Sequence, residues 1–342
     1  MRLSKQHIVH IKRMLSTTID LHGLPVAITD SLAHLAINID IDRFSNKGAN
    51  GYLFFGIHRI LNRRIAVKYY YWGGKDHCHA EPATLASIKH NNILTIYSAE
   101  SIDDEWAYFI AEFCKNGDLD DYRSRTAIGT KDAFQITSGI LSGLSALHSS
   151  GFIHRDLKPQ NILIDDKKQP VIGDFGSVKS VPQGDCLISE SGHSILYRPP
   201  EAFGSFRYSY RSDIYQVGIA LFQLLGGQLS YIDLDYLSAK EKAVYHDLDD
   251  ECDKQLLVDK AIEKLIVKGK LIDLESLPCW IDKKVKSIIK KATHLYEEKR
   301  YSSCTEMMID LSKVRKTTHD WCLDASGSLI LSSSTMYRVR RE

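Results

Sequence analysis

The residues best able to do chemistry are His154-Arg155-Asp156-Leu157-Lys158-Pro159-Gln160-Asn161 and, further on, Asp174-Phe175-Gly176. An acid, a cation and an amide follow one another closely, and a second acid precedes a glycine. Phosphoryl transfer from a metal-bound nucleotide needs such groups: a carboxylate for the attacking hydroxyl, a cation for developing phosphate charge, and oxygen ligands for Mg²⁺. Another cation, Lys68, ends the apolar run Ile65-Ala66-Val67. A lysine inside an apolar strand is costly unless a counter-charge meets it. Upstream, Asn46-Lys47-Gly48-Ala49-Asn50-Gly51-Tyr52-Leu53 offers glycines past which a backbone can approach an anion without a Cβ in the way. Taken alone, that cluster would equally mark a hairpin turn.

These groups need elements to hold them. Residues 4–16 place Ile8, Ile11 and Leu15 at helical spacing, a short packing helix, and residues 17–45 give no clear pattern. From Phe44 the pattern is one of strands. Residues 131–149 repeat apolar groups at Phe134, Ile140, Leu141, Leu144 and Leu147, a helix that Gly151 is placed to end. Ile162-Leu163-Ile164 reads as a short strand. Ile214, Val217, Leu221, Leu224 and Leu225 make a helix apolar nearly all round, as a buried helix should be. Residues 227–276 are rich in charge and read as a solvated helical insertion, with a partner-docking surface as the alternative. Residues 278–309 return to helical pattern, and Gly327 between two apolar triplets suggests a small hairpin.

In order and spacing, these motifs resemble the eukaryotic-type serine/threonine protein kinases: H-R-D-x-x-x-x-N and D-F-G, V-A-I-K at Ile65–Lys68, and a phosphate loop with Asn46 where the first glycine usually stands. The resemblance implies an α+β, bilobal protein-kinase fold, with a small β-rich N-lobe and a larger helical C-lobe. The domains expected are an extension at 1–43, the N-lobe at 44–114, and the C-lobe at 115–316 with an enlarged charged region at 227–276. A hairpin-like tail at 317–342 follows. ATP and Mg²⁺ are the implied cofactors and a Ser/Thr hydroxyl of a protein the implied acceptor. In the family reading Asp156 accepts the hydroxyl proton, Lys158 touches the γ-phosphate, and Asn161 and Asp174 hold Mg²⁺. Lys68 bridges the α/β-phosphates and a helix glutamate. Glu81 is that candidate because Leu85, His90, Asn92 and Ile93 follow it in family order, although Pro82 implies a helix lacking its first turns. An exposed first-turn acid is the alternative reading of Glu81.

By the same resemblance, Gly48 and Gly51 cover the phosphates, Leu53, Ala66 and Leu163 enclose the adenine, and Ala111 stands behind it, where relatives usually carry a larger residue. Backbone groups of Glu112 and Cys114 meet the adenine edge, and Asp118 reaches the ribose. Asp213 braces the catalytic turn, and Glu201, in Tyr197-Arg198-Pro199-Pro200-Glu201, pairs with Arg300. Ser189, Ser191 and Ser194 are candidate self-phosphorylation sites, Ser194 also as a hydrogen-bond partner of Asp156 and Lys158.

The bulk numbers exclude other classes. With 44 basic and 43 acidic residues in 342, no global field favours nucleic acid or a membrane surface. No run is apolar enough to span a bilayer. The seven cysteines are scattered, which suits a reducing, cytoplasmic location. His77-Cys78-His79 has no second ligand pair at metal spacing and reads as loop. Two alternatives stand beside an active kinase. A pseudokinase-like binding or scaffold module commonly loses one of Lys68, Asp156, Asn161 or Asp174. A small-molecule phosphotransferase generally lacks the Tyr197–Glu201 segment, which in protein kinases shapes a peptide-binding surface.

Overall fold

A computed structural model of the chain describes residues 4–45, 51–71, 88–181, 187–188, 194–204, 207–323, 329–331 and 337–339. Gly48, Glu81, Pro82, Ser189 and Ser191 lie outside the described residues. The chain divides into two compact units, Met1–Lys115 and Asn116–Glu342.

The first unit is built on a five-stranded antiparallel sheet of order β1-β2-β3-β5-β4. Its strands are β1 (Ile39–Ser45), β2 (Tyr52–His58), β3 (Arg63–Tyr71), β4 (Ile96–Ser101) and β5 (Trp106–Glu112). Two helices precede it, α1 (Lys5–Leu15), which Ser4 caps by accepting from His7 N, and α2 (Val26–Leu35). Side chains alternate across a strand, so the sheet has two distinct faces. On one, Phe54, Ile65, Val67, Tyr69 and Tyr108 pack into a core with Leu15, Ile28 and Leu32 of the helices. The Tyr69 hydroxyl lies 3.0 Å from Ser31 Oγ on α2, a polar tie inside that apolar layer.

Residues 1–43 are therefore no mere appendage in this unit. The sheet begins at Ile39 rather than Phe44, with Ile39 and Ile41 buried and Asp40 and Asp42 exposed. That alternation was too short to stand out in the sequence.

In the second unit, α3 (Leu119–Arg125) and α4 (Thr130–Ser149) precede β6 (Phe152–Ile153), β7 (Ile162–Ile164), β8 (Pro170–Ile172) and β9 (Lys179–Ser180). β6 pairs with β9 and β7 with β8. β10 (Leu187–Ile188) pairs with β11 (Arg207–Tyr208) around the one-turn α5 (Glu201–Gly204). The organising helix is α6 (Tyr210–Leu224), buried at every position from Ser212 to Leu224 and closed at its start by a Ser209–Ser212 capping box.

The charged region forms α7 (Ala239–Asp247) and α8 (Glu251–Val267). It is less wet than expected. Val258, Ala261, Ile262 and Ile266 of α8 pack on Leu196, Tyr197, Tyr215 and Ile219. α9 (Lys283–Ala292) and α10 (Cys304–Thr317) follow. The tail forms a three-stranded antiparallel sheet of β12 (Trp321–Leu323), β13 (Leu329–Leu331) and β14 (Tyr337–Val339), one strand more than a hairpin. Among the described residues no helix is long and apolar enough to cross a membrane.

Candidate active site

Asp156 lies in the turn after β6 and is 7 % exposed. Its Oδ2 accepts from Lys158 Nζ at 2.8 Å and from Asn161 Nδ2 at 2.9 Å, while the same Nδ2 donates to the Asp156 carbonyl at 2.8 Å. The other oxygen, Oδ1, is buried and has no hydrogen-bond partner among the described residues. A buried carboxylate oxygen left unsatisfied is costly, so the turn presents an acceptor ready for a donor. Asn161 commits its amide nitrogen to Asp156, which leaves its Oδ1 as an oxygen donor. Asp174 is half-buried, with a left-handed backbone (φ 54°), as the residue entering a short 3₁₀ turn at Phe175–Ser177. Carboxylate and amide oxygens are the donor set a hard cation such as Mg²⁺ prefers.

The turn is strained and needs bracing. Arg155 has φ 71°, a left-handed conformation uncommon for a residue with a Cβ. Two residues of α6 hold it. Asp213, fully buried, accepts from His154 N at 2.9 Å and Arg155 N at 2.8 Å, and its Oδ2 lies 2.8 Å from His148 Nε2. Gln216 accepts from Leu157 N at 2.9 Å and donates to the carbonyls of Arg155 at 2.8 Å and Tyr197 at 3.2 Å. Three positions apart on a helix, they share one face.

The family resemblance assigns the brace to Asp213 and does not single out Gln216. The available signal was a glutamine three positions after Asp213, on the same face of a largely apolar helix. His154 packs its ring 5.2 Å from Phe175 and approaches the Gly173 carbonyl at 3.2 Å, which joins the two motifs. Burial pushes the Arg155 guanidinium below its ordinary range. Its Nε donates to the Ser177 carbonyl at 2.6 Å, and it lies 5.7 Å from the Tyr208 ring centre.

Glu201 and Arg300 form a two-pronged ion pair at 2.8 and 2.7 Å, with Arg300 only 3 % exposed. Ser212 donates to Glu201 at 2.7 Å, so the pair is anchored to the start of α6. Ser194 behaves differently from expectation. No hydrogen bond links it to Asp156 or Lys158 among the described residues; those two pair with each other. Leu163 is half-buried on β7, and Asp118 caps α3 by accepting from Asp121 N at 2.8 Å, while the two residues bridge backbone to backbone.

In the first unit, the sheet face opposite the helices carries the other candidates. Lys68 is half-buried on β3, its Nζ 5.8 Å from the Phe109 ring centre, and it pairs across the sheet with Leu53 and Phe109. Ala66 stands opposite Ala111, which is 2 % exposed. Two alanines facing each other leave little side-chain volume there. Glu112 donates its N–H to the Thr95 carbonyl at 3.0 Å and accepts from Thr95 N at 2.8 Å. Cys114 is buried and forms no disulfide among the described residues. Gly51 has φ 154°, and a Cβ there would collide with the Tyr69 carbonyl; only glycine fits.

Comparison with known proteins agrees with this arrangement. Residues 46–311 match the family model described as protein kinase domain. The probable serine/threonine-protein kinase PknB of Lactococcus lactis is 28% identical over 198 residues, 57% of this chain and 31% of the relative. Serine/threonine-protein kinase atg1 of Dictyostelium discoideum is 34% identical over 153 residues, 43% of this chain and 23% of the relative. CBL-interacting serine/threonine-protein kinase 2 of Arabidopsis thaliana is 26% identical over 212 residues, 59% of this chain and 46% of the relative. The matched stretch thus spans less than half the length of each of these relatives. With the family model covering most of its length and the braced acid, amide and lysine in place, the chain belongs to the protein kinase family.

Proposed function

We propose that the protein is an ATP- and Mg²⁺-dependent serine/threonine kinase acting on protein hydroxyls. The observation that carries this reading is the Asp156–Lys158–Asn161 cluster, with Asp156 Oδ1 buried and unpartnered. A hydroxyl donating to that oxygen would satisfy it and be oriented for attack, with Asp156 taking its proton. Lys158 would then turn from Asp156 toward the γ-phosphate. Asn161 and Asp174 would hold the cation.

Among the described residues no three His, Cys, Asp or Glu side chains could bind a metal by themselves. Mg²⁺ held by Asn161 and Asp174 would complete its shell with phosphate oxygens and water. Bound MgATP supplies the phosphoryl group and the cation that neutralises its charge. Lys68, with Glu81 as its partner, would hold the α/β-phosphates, and Gly48 and Gly51 would let backbone amides approach them. Leu53, Ala66 and Leu163 would enclose the adenine before Ala111. Glu112 and Cys114 would meet its edge with backbone groups, and Asp118 would reach the ribose while also capping α3.

Lys158, two positions after the acid, and the serine/threonine kinases among the relatives support Ser/Thr acceptors. The presence of Lys68, Asp156, Asn161 and Asp174 together weighs against a pseudokinase. The Glu201–Arg300 anchor of the Tyr197–Glu201 segment weighs against a small-molecule phosphotransferase. Ser189, Ser191 and Ser194 are the self-phosphorylation sites we expect, and the cytoplasm the location. The test is incubation with Mg²⁺ and γ-labelled ATP, then mass spectrometry of the chain and of casein. Label on serine or threonine, absent in Asp156→Asn, is the expected result. No transfer to either protein would overturn the reading.

A further inference from the structure

Tyr231 lies in the loop after α6 and belongs to none of the motifs above. The residue is 45 % exposed, yet its hydroxyl is crowded. Asp120 Oδ1 stands at 3.1 Å, Tyr197 Oη at 3.0 Å, Gln223 Nε2 at 3.1 Å, Gln160 Nε2 at 3.3 Å and an Arg123 nitrogen at 3.4 Å. These neighbours come from α3, the catalytic turn, the segment ahead of Glu201, and α6. The loop holds the tyrosine in place through its own bonds, from Tyr236 to the Ser230 carbonyl and from Ser230 Oγ to Asp235.

A hydroxyl has one proton to give and two lone pairs to receive, so it cannot serve five partners at once. Tyr197 donates its proton to Gln223 Oε1 at 2.9 Å, and so can only accept from Tyr231. The Tyr231 proton is therefore contested between Asp120 and Tyr197. Asp120 is also claimed by Arg123 Nε at 2.7 Å and by Gln160 Nε2 at 2.9 Å. If the proton goes to Tyr197, the segment that ends at Glu201 is tied down. If it goes to Asp120, the tyrosine is tied instead to α3 and, through the Gln160–Asp120 bond, to the catalytic turn. Gln160 lies between Pro159 and Asn161, so a shift at this hydroxyl reaches the catalytic turn directly.

We propose that Tyr231 is a positioning residue that couples the Tyr197–Glu201 segment to the catalytic turn and so sets how tightly a peptide acceptor is held. The proposal rests on the protein-kinase reading above. Its contacts are to polypeptide segments and to none of the residues assigned to ATP. Its loss should therefore act on peptide binding and leave nucleotide binding alone.

The experiment compares the full chain with Tyr231→Phe, Gln160→Ala and the double variant, using MgATP and a serine peptide. Tyr231→Phe keeps the ring and deletes only the hydroxyl. The expected result is a KM for peptide raised about three- to tenfold, the scale of one net hydrogen bond, with KM for ATP unchanged. The double variant should be no worse than the poorer single variant, because both break one linkage. An unchanged KM for peptide, an equal rise in both KM values, or effects that multiply would overturn the proposal.

Amide hydrogen exchange is read on the same proteins without turnover. Faster exchange in residues 157–161 and 195–198 of Tyr231→Phe supports the coupling, and unchanged exchange overturns it. If the wild type transfers no phosphate, the kinase reading fails and the exchange result still decides the coupling.

Discussion

The turn around Asp156 and the strand around Lys68 hold their candidate residues by opposite means. At the turn, buried polar side chains do the holding: Asp213 and Gln216 reach from α6 to the backbone of residues 154–157. Apolar packing alone could not fix a backbone with Arg155 at φ 71°, because dispersion is non-directional and a hydrogen bond is not. Around Lys68, cross-strand pairing fixes the backbone and aromatic packing supports it from behind. Phe54 stacks on Phe44 at 4.8 Å and meets Tyr69 edge-on at 5.6 Å. A polar brace fails when one atom is removed, whereas a packed layer weakens with the volume removed.

The largest expected effect separates chemistry from bracing. Asp156→Asn should lower phosphoryl transfer by about 10²–10⁴-fold, while nucleotide affinity and the unfolding midpoint stay near wild type. A rate within tenfold of wild type would remove Asp156 from its proposed role.

Next come one brace and one packed ring of similar cost. Asp213→Ala strands two backbone N–H groups and His148, and should cost about 3–5 kcal/mol in urea unfolding, with activity lost. Phe54→Ala should cost about 3–5 kcal/mol through its cavity, and amide exchange should show the loosening in residues 39–71. If Asp213→Ala were no worse than a surface change, polar bracing would not be what holds the turn.

Filling the small-residue position probes the sheet face itself. A nucleotide-site inhibitor with a bulky group on its exocyclic amine should bind wild type well and Ala111→Met roughly tenfold or more weakly, since overpacking costs about 1–3 kcal/mol. Equal affinities would show that Ala111 does not line the adenine site.

The smallest effect is a surface control on both. Glu306, near the start of α10, accepts from Lys291 Nζ at 2.6 Å and from Ser302 N at 2.7 Å. Chiefly through the Lys291 bond, its carboxyl is pulled from 4.5 down to about 2. Its folded pKa is depressed, so its stabilisation is complete above pH 4.5 and fades as pH falls towards 2. Both side chains are more than a third exposed, so Glu306→Gln should change acid unfolding in that window by less than about 1 kcal/mol. A larger change would mean that this exposed pair matters as much as a buried brace.

The sequence by itself determined what recurs over short spans of chain. The acid, lysine and amide at 156, 158 and 161 fall within one turn, so their proximity needs no tertiary information. The buried character of α6 followed from apolar residues on all its sides, and the strand nature of residues 65–68 from a short apolar run. Family order reached further, placing Asp213 against the turn and Glu201 with Arg300, pairs that no local pattern reveals.

Only the tertiary structure decided which polar atoms meet. Gln216 and Leu157 are 59 positions apart, and Tyr231 and Asp120 are 111 apart; a hydrogen bond between them depends on where helices pack, and periodicity is silent about that. The same holds for the helices before the sheet. The apolar spacing of residues 4–16 said that something is covered, while residues 17–45 showed no pattern. That it is the face bearing Phe54 and Tyr69, leaving the face of Lys68, Ala66 and Ala111 on the other side, was fixed by strand register. A slip of one residue would have exchanged the two faces.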